Sequence, residues 1–242
     1  MDAQRLALDS FTFVATARPP SPIILTVPHD GIRGEHLCLP FPERTNGVTV
    51  RDGAVWNIVS DIAATTPMNV IRGLLPRTLV DYNRAAAEAY EHEAIRAPYD
   101  AYHDQIDCLI RSLKTPFPVE RILLLDMHGF GAQPPYAPVG GYDVILGTGN
   151  RTTVAHGDAD RRLATFLRDR GYSVFLPERE PVRIGGDYLA GQHTVRSYSA
   201  AHGINCIQVE MARRFRERGA ERIGQALARD IAVFLSSFSS LC

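Results

Sequence analysis

The sequence predicts an α/β fold, a three-layer sandwich built on a mixed, mainly parallel central sheet. Three observations predict it. Short, largely apolar runs recur along the chain, among them Ile23–Val27 (IILTV), Arg121–Leu125 (RILLL) and Ile204–Val209 (INCIQV); strands buried on both faces read this way, without regular polar alternation. Helical patterns of period 3.6 lie between them, and strands alternating with helices give a sheet covered on both sides. No internal repeat or linker divides the 242 residues. That length suits a single domain over residues 1–242, large enough to bury roughly 70–75% of its unfolded surface without a disulfide or structural metal.

Each element follows in order. The first twenty residues end in Ala17-Arg18-Pro19-Pro20-Ser21-Pro22, a stiff polar lead-in, and the first buried strand, Ile23–Val27, stops at Pro28-His29-Asp30-Gly31. Residues 31–50 are rich in Gly, Pro and Asn and read as a surface loop. Asp52-Gly53-Ala54 opens a helix through Val55, Ile58, Val59 and Ile62. Asn69–Leu75 and Thr78–Val80 read as strands, the second running into Asp81-Tyr82-Asn83-Arg84. Ala85–Leu113 reads as a long helix broken at Pro98. Arg121–Leu125 ends at Asp126-Met127-His128-Gly129, and Phe130–Gly141 is loop. Val144–Leu146 and Ser173–Leu176 are short strands flanking a helix over Asp160–Arg170 that Gly171 caps. Pro177–Ala201 is loop-rich, Ile204–Val209 is a strand ending at Glu210, and Arg213–Phe238 is an amphipathic closing helix.

Composition narrows the partners. Apolar residues make up 45% and charged residues 22%, with a formal net charge of −1, which argues against a nucleic-acid or membrane surface. Lys114 is the lone lysine, so an anion clamp here is a guanidinium, suited to bidentate carboxylate binding. The cysteines Cys38, Cys108, Cys206 and Cys242 form no CxxC pair, and Cys108 and Cys206 lie in apolar stretches that read as buried thiols. With no basic-then-apolar leader, a cytoplasmic setting is expected.

The chemistry concentrates where strands stop. Four apolar segments end in ionisable residues: IILTV–PHDG, TLV–DYNR, RILLL–DMHG and CIQV–E. Ligands of open α/β sheets bind beyond the carboxyl ends of the strands, so these ends can converge on one pocket with the residue types of a metal hydrolase. His29 and His128 are the candidate ligands. Asp126 shares a strand face with His128 by the period-two rule and can orient it, while Met127 faces the other way. Catalytic zinc takes three protein ligands and keeps one position open. Asp52 is the first choice for the third, with helix N-capping as its competing role; Glu35 and His36 are alternatives, and Asp30 is poorer because adjacent side chains diverge. Glu210 reads either as a carboxylate at the start of the following helix or as a partly desolvated general base. Arg84 reads as a group that binds a substrate carboxylate or scissile carbonyl, or as the partner of Glu88 one turn on.

The ordered set PHDG, DYNR, LDMHG, DVILGTGNRTT, IGGDYLAGQHTVRSYS and QVEMARR, spanning Ile23 to Arg214, resembles the N-formylglutamate amidohydrolase (formylglutamate deformylase) family, and more distantly zinc carboxypeptidases and aspartoacylase-type deacylases. The resemblance implies a zinc-carboxypeptidase-like fold and one Zn2+ per chain on His29, Asp52 and His128. It further implies Glu210 as general base and Arg84 polarising the carbonyl. Asn83 and Arg84 would bind substrate, and Arg196 and Tyr198 would contact its carboxylates. The expected activity is hydrolysis of the amide bond of a small anionic N-acyl amino acid such as N-formyl-L-glutamate, in amino-acid catabolism. The rivals are a carboxypeptidase-like amidase acting on peptides or cell-wall fragments, and a non-catalytic binding module. No GxGxxG or GxxxxGK[ST] follows any strand, which argues against a nucleotide-binding α/β protein.

Overall fold

The structure, a computed structural model, describes residues 12–31, 43–134, 137–177 and 191–240. Seven strands form one mixed sheet: Thr12–Ala15 (β1), Ile23–Val27 (β2), Asn69–Gly73 (β3), Leu123–Phe130 (β4), Val144–Gly147 (β5), Val174–Phe175 (β6) and Asn205–Ala212 (β7). Their order is β1-β3-β2-β4-β7-β5-β6. The four central strands run parallel, β1 lies antiparallel to β3, and β5 antiparallel to β7. The α/β sandwich with a mainly parallel sheet is therefore the observed fold.

Among the described residues, six helices accompany the sheet: Val55–Thr65 (α1), the single turn Ala86–Ala89 (α2), Arg96–Leu113 (α3), Ala159–Arg168 (α4), His193–His202 (α5) and Glu221–Ser240 (α6). Two apolar cores lie on opposite sheet faces. Leu123, Leu125 and Met127 of β4 pack with residues of α1, α4 and α6. Leu124 packs on the other side, with Tyr99, Tyr102 and Ile106 of α3 and Val195 and Tyr198 of α5. This alternation follows from the period-two geometry of a strand. It puts Asp126 and His128 on the α3/α5 side, in line with Leu124.

Several expectations are corrected. Thr12–Ala15, read as lead-in, is an edge strand. Thr78–Val80 is a turn, because the Leu79 and Val80 amides both donate to the Pro76 carbonyl (2.9 and 3.3 Å). The long helix breaks before Pro98, where His92 accepts a hydrogen bond from the Ala94 amide (3.2 Å). Pro98 is the third residue of α3, and the first turn of a helix needs no partner for the missing N–H. The loop expected through Ala201 contains α5, which ends at Gly203 in the left-handed region, φ 65°. A 3-10 turn, Arg213–Phe215, separates β7 from α6, so the closing helix starts at Glu221 and not at Arg213. Cys206 is buried as expected, but Cys108 is exposed. No helix among the described residues is long and apolar enough to cross a membrane.

Candidate metal centre and cleft

The parallel strands deliver their side chains to one edge. Register pairs Thr26 with Asp126, Asp126 with Gln208, and His128 with Glu210. His29 follows β2 by two residues. Glu210 and His128 lie inside their strands and not beyond them, as the sequence had suggested for Glu210. They line a cleft of about 430 Å3 with His29, Asp52, Asp81, Asn83, Arg84, Arg77 and Gln208.

The two imidazoles are held alike. His29 Nε2 lies 2.6 Å from Asp81 Oδ1, and His128 Nε2 lies 2.8 Å from Asp126 Oδ2. Asp126 is fully buried and is itself fixed by the Thr26 hydroxyl, which donates to its Oδ1 at 2.6 Å. In the neutral tautomer whose Nε2–H donates to these carboxylates, Nδ1 carries a lone pair; a protonated imidazole instead donates Nδ1–H to Asp52. Both Nδ1 atoms face Asp52 Oδ2, at 3.3 Å from His29 and 3.1 Å from His128. The ring centroids are 4.7 Å apart. The ligating atoms of His29, Asp52 and His128 lie within 4.8 Å of one another, and all three residues are buried. With the imidazoles neutral, three electron-pair donors converge on one point, so this group can hold a metal ion in place of the protons. Carboxylates behind each imidazole are the usual means of orienting metal-bound histidines.

Asp52 is free for this because it does not cap α1. The Trp56 amide, in the first turn of α1, donates instead to Asp30 Oδ2 at 2.6 Å. Gly31, next in line, has no room for a Cβ, which would overlap the Leu75 carbonyl. The Asp52 backbone amide donates to the His29 carbonyl (3.1 Å), and the Gly129 amide donates to Asp52 Oδ2 (3.3 Å). The carboxylate is therefore braced by both ligand-bearing segments.

Burial alone would raise the Asp52 carboxyl, but the positive fields and hydrogen bonds of the two imidazoles outweigh it and hold the group well below the usual carboxylate range. Asp81 is likewise opposed by burial yet lowered, by His29, Arg77 and Arg44. Burial disfavours a charged His128, but Asp126 and Asp52 raise its imidazole well above the ordinary value. Glu210 behaves the other way. Burial lifts its carboxyl to about 7, against the pull of His128, and the Asp52 charge adds to the lift. The Gln208 amide donates to Glu210 Oε1 at 2.8 Å, and Gln208 Oε1 accepts from the Gln192 amide at 2.8 Å.

Of the residues the sequence suggested for substrate, Asn83 and Arg84 reach the cleft. Asn83 Oδ1 accepts from the Thr194 amide (2.8 Å), and its Nδ2 lies 3.2 Å from His128 Nε2. Arg84 sits 3.4 Å from Glu88 and 3.7 Å from Asp81, so its helical-pair role and its cleft position coexist. Arg196 and Tyr198 are not among the residues lining the cleft. Arg196 lies on the exposed side of α5, and Tyr198 faces α3, where its hydroxyl donates to the His103 carbonyl (3.1 Å) and lies 2.8 Å from His103 Nδ1. A two-residue spacing on a helix turns side chains about 200° apart, which no reading of an Arg-x-Tyr string conveys. Glu35 and His36 lie outside the described residues.

Sequence reasoning missed two groups. Asp81 orients His29. Arg77 bridges Asp52 Oδ1 (3.1 Å) and Asp81 Oδ2 (3.2 Å). Asp81 was visible as the head of DYNR; Arg77 gave no signal, since only the turn at 76–80 brings it back to the site.

A family model for N-formylglutamate amidohydrolase matches residues 86–215, more than half of the chain. No curated protein sequence matches it significantly. Among solved structures, N-formylglutamate amidohydrolase from Ralstonia eutropha JMP134 is similar at 16% identity and TM-score 0.68, with 96% of this chain and 98% of that one covered. Gene product Atu2144 from Agrobacterium tumefaciens is similar at 13% identity and TM-score 0.68, covering 96% and 94%. An aspartoacylase family protein from Mesorhizobium loti aligns at 15% identity and TM-score 0.42, covering 93% and 60%. The chain belongs to the N-formylglutamate amidohydrolase family of amide hydrolases.

Proposed function

We propose that the protein is a zinc-dependent hydrolase of a small anionic N-acyl amino acid, N-formyl-L-glutamate first among them. One Zn2+ per chain would be held by His29, Asp52 and His128, with Glu210 as the general base. The observation that carries this reading is the convergence of two Nδ1 atoms on one Asp52 oxygen, each imidazole backed by a buried aspartate. Nitrogen and oxygen donors in this number suit zinc. Bound there, a divalent ion would supply Lewis acidity to the amide carbonyl and lower the pKa of a water.

The chain's own residues do the rest. Glu210, lifted to about 7, is poised to exchange a proton near neutrality. Gln208 occupies its Oε1, so Oε2 takes the proton from the attacking water and hands it to the leaving nitrogen. Arg84, at the cleft wall, donates to the developing oxyanion or to a substrate carboxylate; losing one such donor costs about 3–4 kcal/mol of transition-state stabilisation. Asn83 positions substrate from the same turn. The reading takes residues 1–242 as one domain working in the cytoplasm.

Metal analysis of the wild type beside His128→Ala tests the centre. About one zinc per chain, lost in the variant, is expected; a metal-free wild type defeats the proposal. Turnover of N-formyl-L-glutamate, other N-acyl amino acids and short peptides distinguishes the deformylase from the carboxypeptidase-like alternative. Glu210→Gln should keep its zinc and lose most turnover, and full activity would remove Glu210 as the base.

A further inference from the structure

Arg216 lies in no motif that pointed to the site, yet its guanidinium bonds to backbone beside three of the site's segments. Nε donates to the Met211 carbonyl (3.2 Å), Nη1 to the Gly53 carbonyl (2.7 Å) and Nη2 to the Phe130 carbonyl (3.0 Å). Met211 follows Glu210, Gly53 follows Asp52, and Phe130 is two residues past His128. One planar group thus spans three segments that meet only in the folded chain: the approach to α1, the end of β4 and the end of β7. The rigid fork of a guanidinium can serve three acceptors at fixed angles, which an ammonium cannot. Gly129 supplies the room, because a Cβ there would overlap the Arg216 guanidinium. That accounts for the glycine after His128 without appeal to backbone conformation. The cation also stands within the fields of Asp52 and Glu210.

We propose that Arg216 is a positioning residue: it ties together the backbones that carry Asp52, His128 and Glu210, and so sets the spacing between metal ligands and base. The inference rests on the roles assigned to those three residues above. Two variants probe it. Arg216→Lys keeps the charge and loses the fork. Gly129→Ala drives the guanidinium away and leaves Arg216 in place, which covers the case in which the lysine variant folds poorly. Arg218→Ala, an exposed arginine two positions on, is the control.

The readouts are Zn2+ affinity of the metal-free protein by chelator competition, kcat and KM on N-formyl-L-glutamate, and amide hydrogen exchange of the metal-free protein. Both variants should lose about 10- to 100-fold in Zn2+ affinity or kcat, the range for groups behind metal ligands, with KM little changed. Exchange should rise together at residues 52–53, 129–130 and 211 while α3 keeps its protection. Wild-type zinc affinity, kcat and exchange in both variants would overturn the clamp, as would losses that track only global unfolding. A wild type that binds no Zn2+ instead brings down the functional reading, and this inference with it.

Discussion

Acid should destabilise this protein through a histidine away from the cleft. His103, on α3, is partly buried against α5, with Nδ1 2.8 Å from the Tyr198 hydroxyl. Burial, aided by the neighbouring His193, pushes its imidazole down to about 4, against the charge of Asp126. The folded state therefore favours neutral imidazole, while the unfolded chain takes up its proton near 6.5. The stability this contributes is fully present above pH 6.5 and is lost as pH falls from there towards 4. At about 1.4 kcal/mol per pH unit of difference, the whole window is worth about 3 kcal/mol, and about 2 kcal/mol of it is gone by pH 5. The perturbation is His103→Phe, which keeps the volume and removes the titration. Tyr198 still has the residue-103 carbonyl to donate to. The assay is urea denaturation of both proteins at pH 8 and pH 5, with metal removed from both so that Asp52, His128 and Glu210 titrate alike and cancel. The wild type should lose about 2 kcal/mol more than the variant between the two pH values. Equal losses would show that the imidazole is solvated, and the packing of α3 on α5 would need to be redrawn.

The same contact predicts that Tyr198→Phe costs about 1 kcal/mol of stability by denaturant titration and leaves KM unchanged; a large rise in KM would return Tyr198 to the substrate. Thr26→Val strips the hydroxyl that holds Asp126. It should cost about 1–3 kcal/mol and weaken Zn2+ binding by about tenfold or more through His128, and unaltered zinc affinity would count against the relay. Gly31→Ala forces a methyl onto the Leu75 carbonyl, so it should abolish cooperative unfolding at the wild-type midpoint, as followed by circular dichroism. A fully folded alanine variant would mean that the 28–31 turn is far looser than its packing implies.

The sheet was legible because burial leaves a composition mark. Leu123–Leu125 is apolar at every position, and Ile23–Val27 at all but Thr26, since both faces are covered, and the polar residues that end such runs mark the edge where a ligand binds. His29, Asp52, His128 and Glu210 could be nominated on that ground, and the structure brings all four to one cleft. What the pattern misjudged was local competition. Helix α5 is weakly amphipathic and carries polar residues that serve Asn83 and His103, so it read as loop. Thr78–Val80 is as β-branched and apolar as a strand but is folded into a turn by the Pro76 carbonyl.

By itself, the order of residues determined which side chains share a strand face, because alternation along a strand is a property of the backbone. It placed Asp126 behind His128 from spacing alone. Only the tertiary structure decided that Asp81 serves His29, that Asp30 and not Asp52 caps α1, that Arg77 and Arg216 reach the site from outside every motif, and that Tyr198 turns away from it. Those outcomes depend on crossover connections and helix rotation. These bring together residues tens to more than a hundred positions apart, and no local rule of periodicity reaches across such a gap.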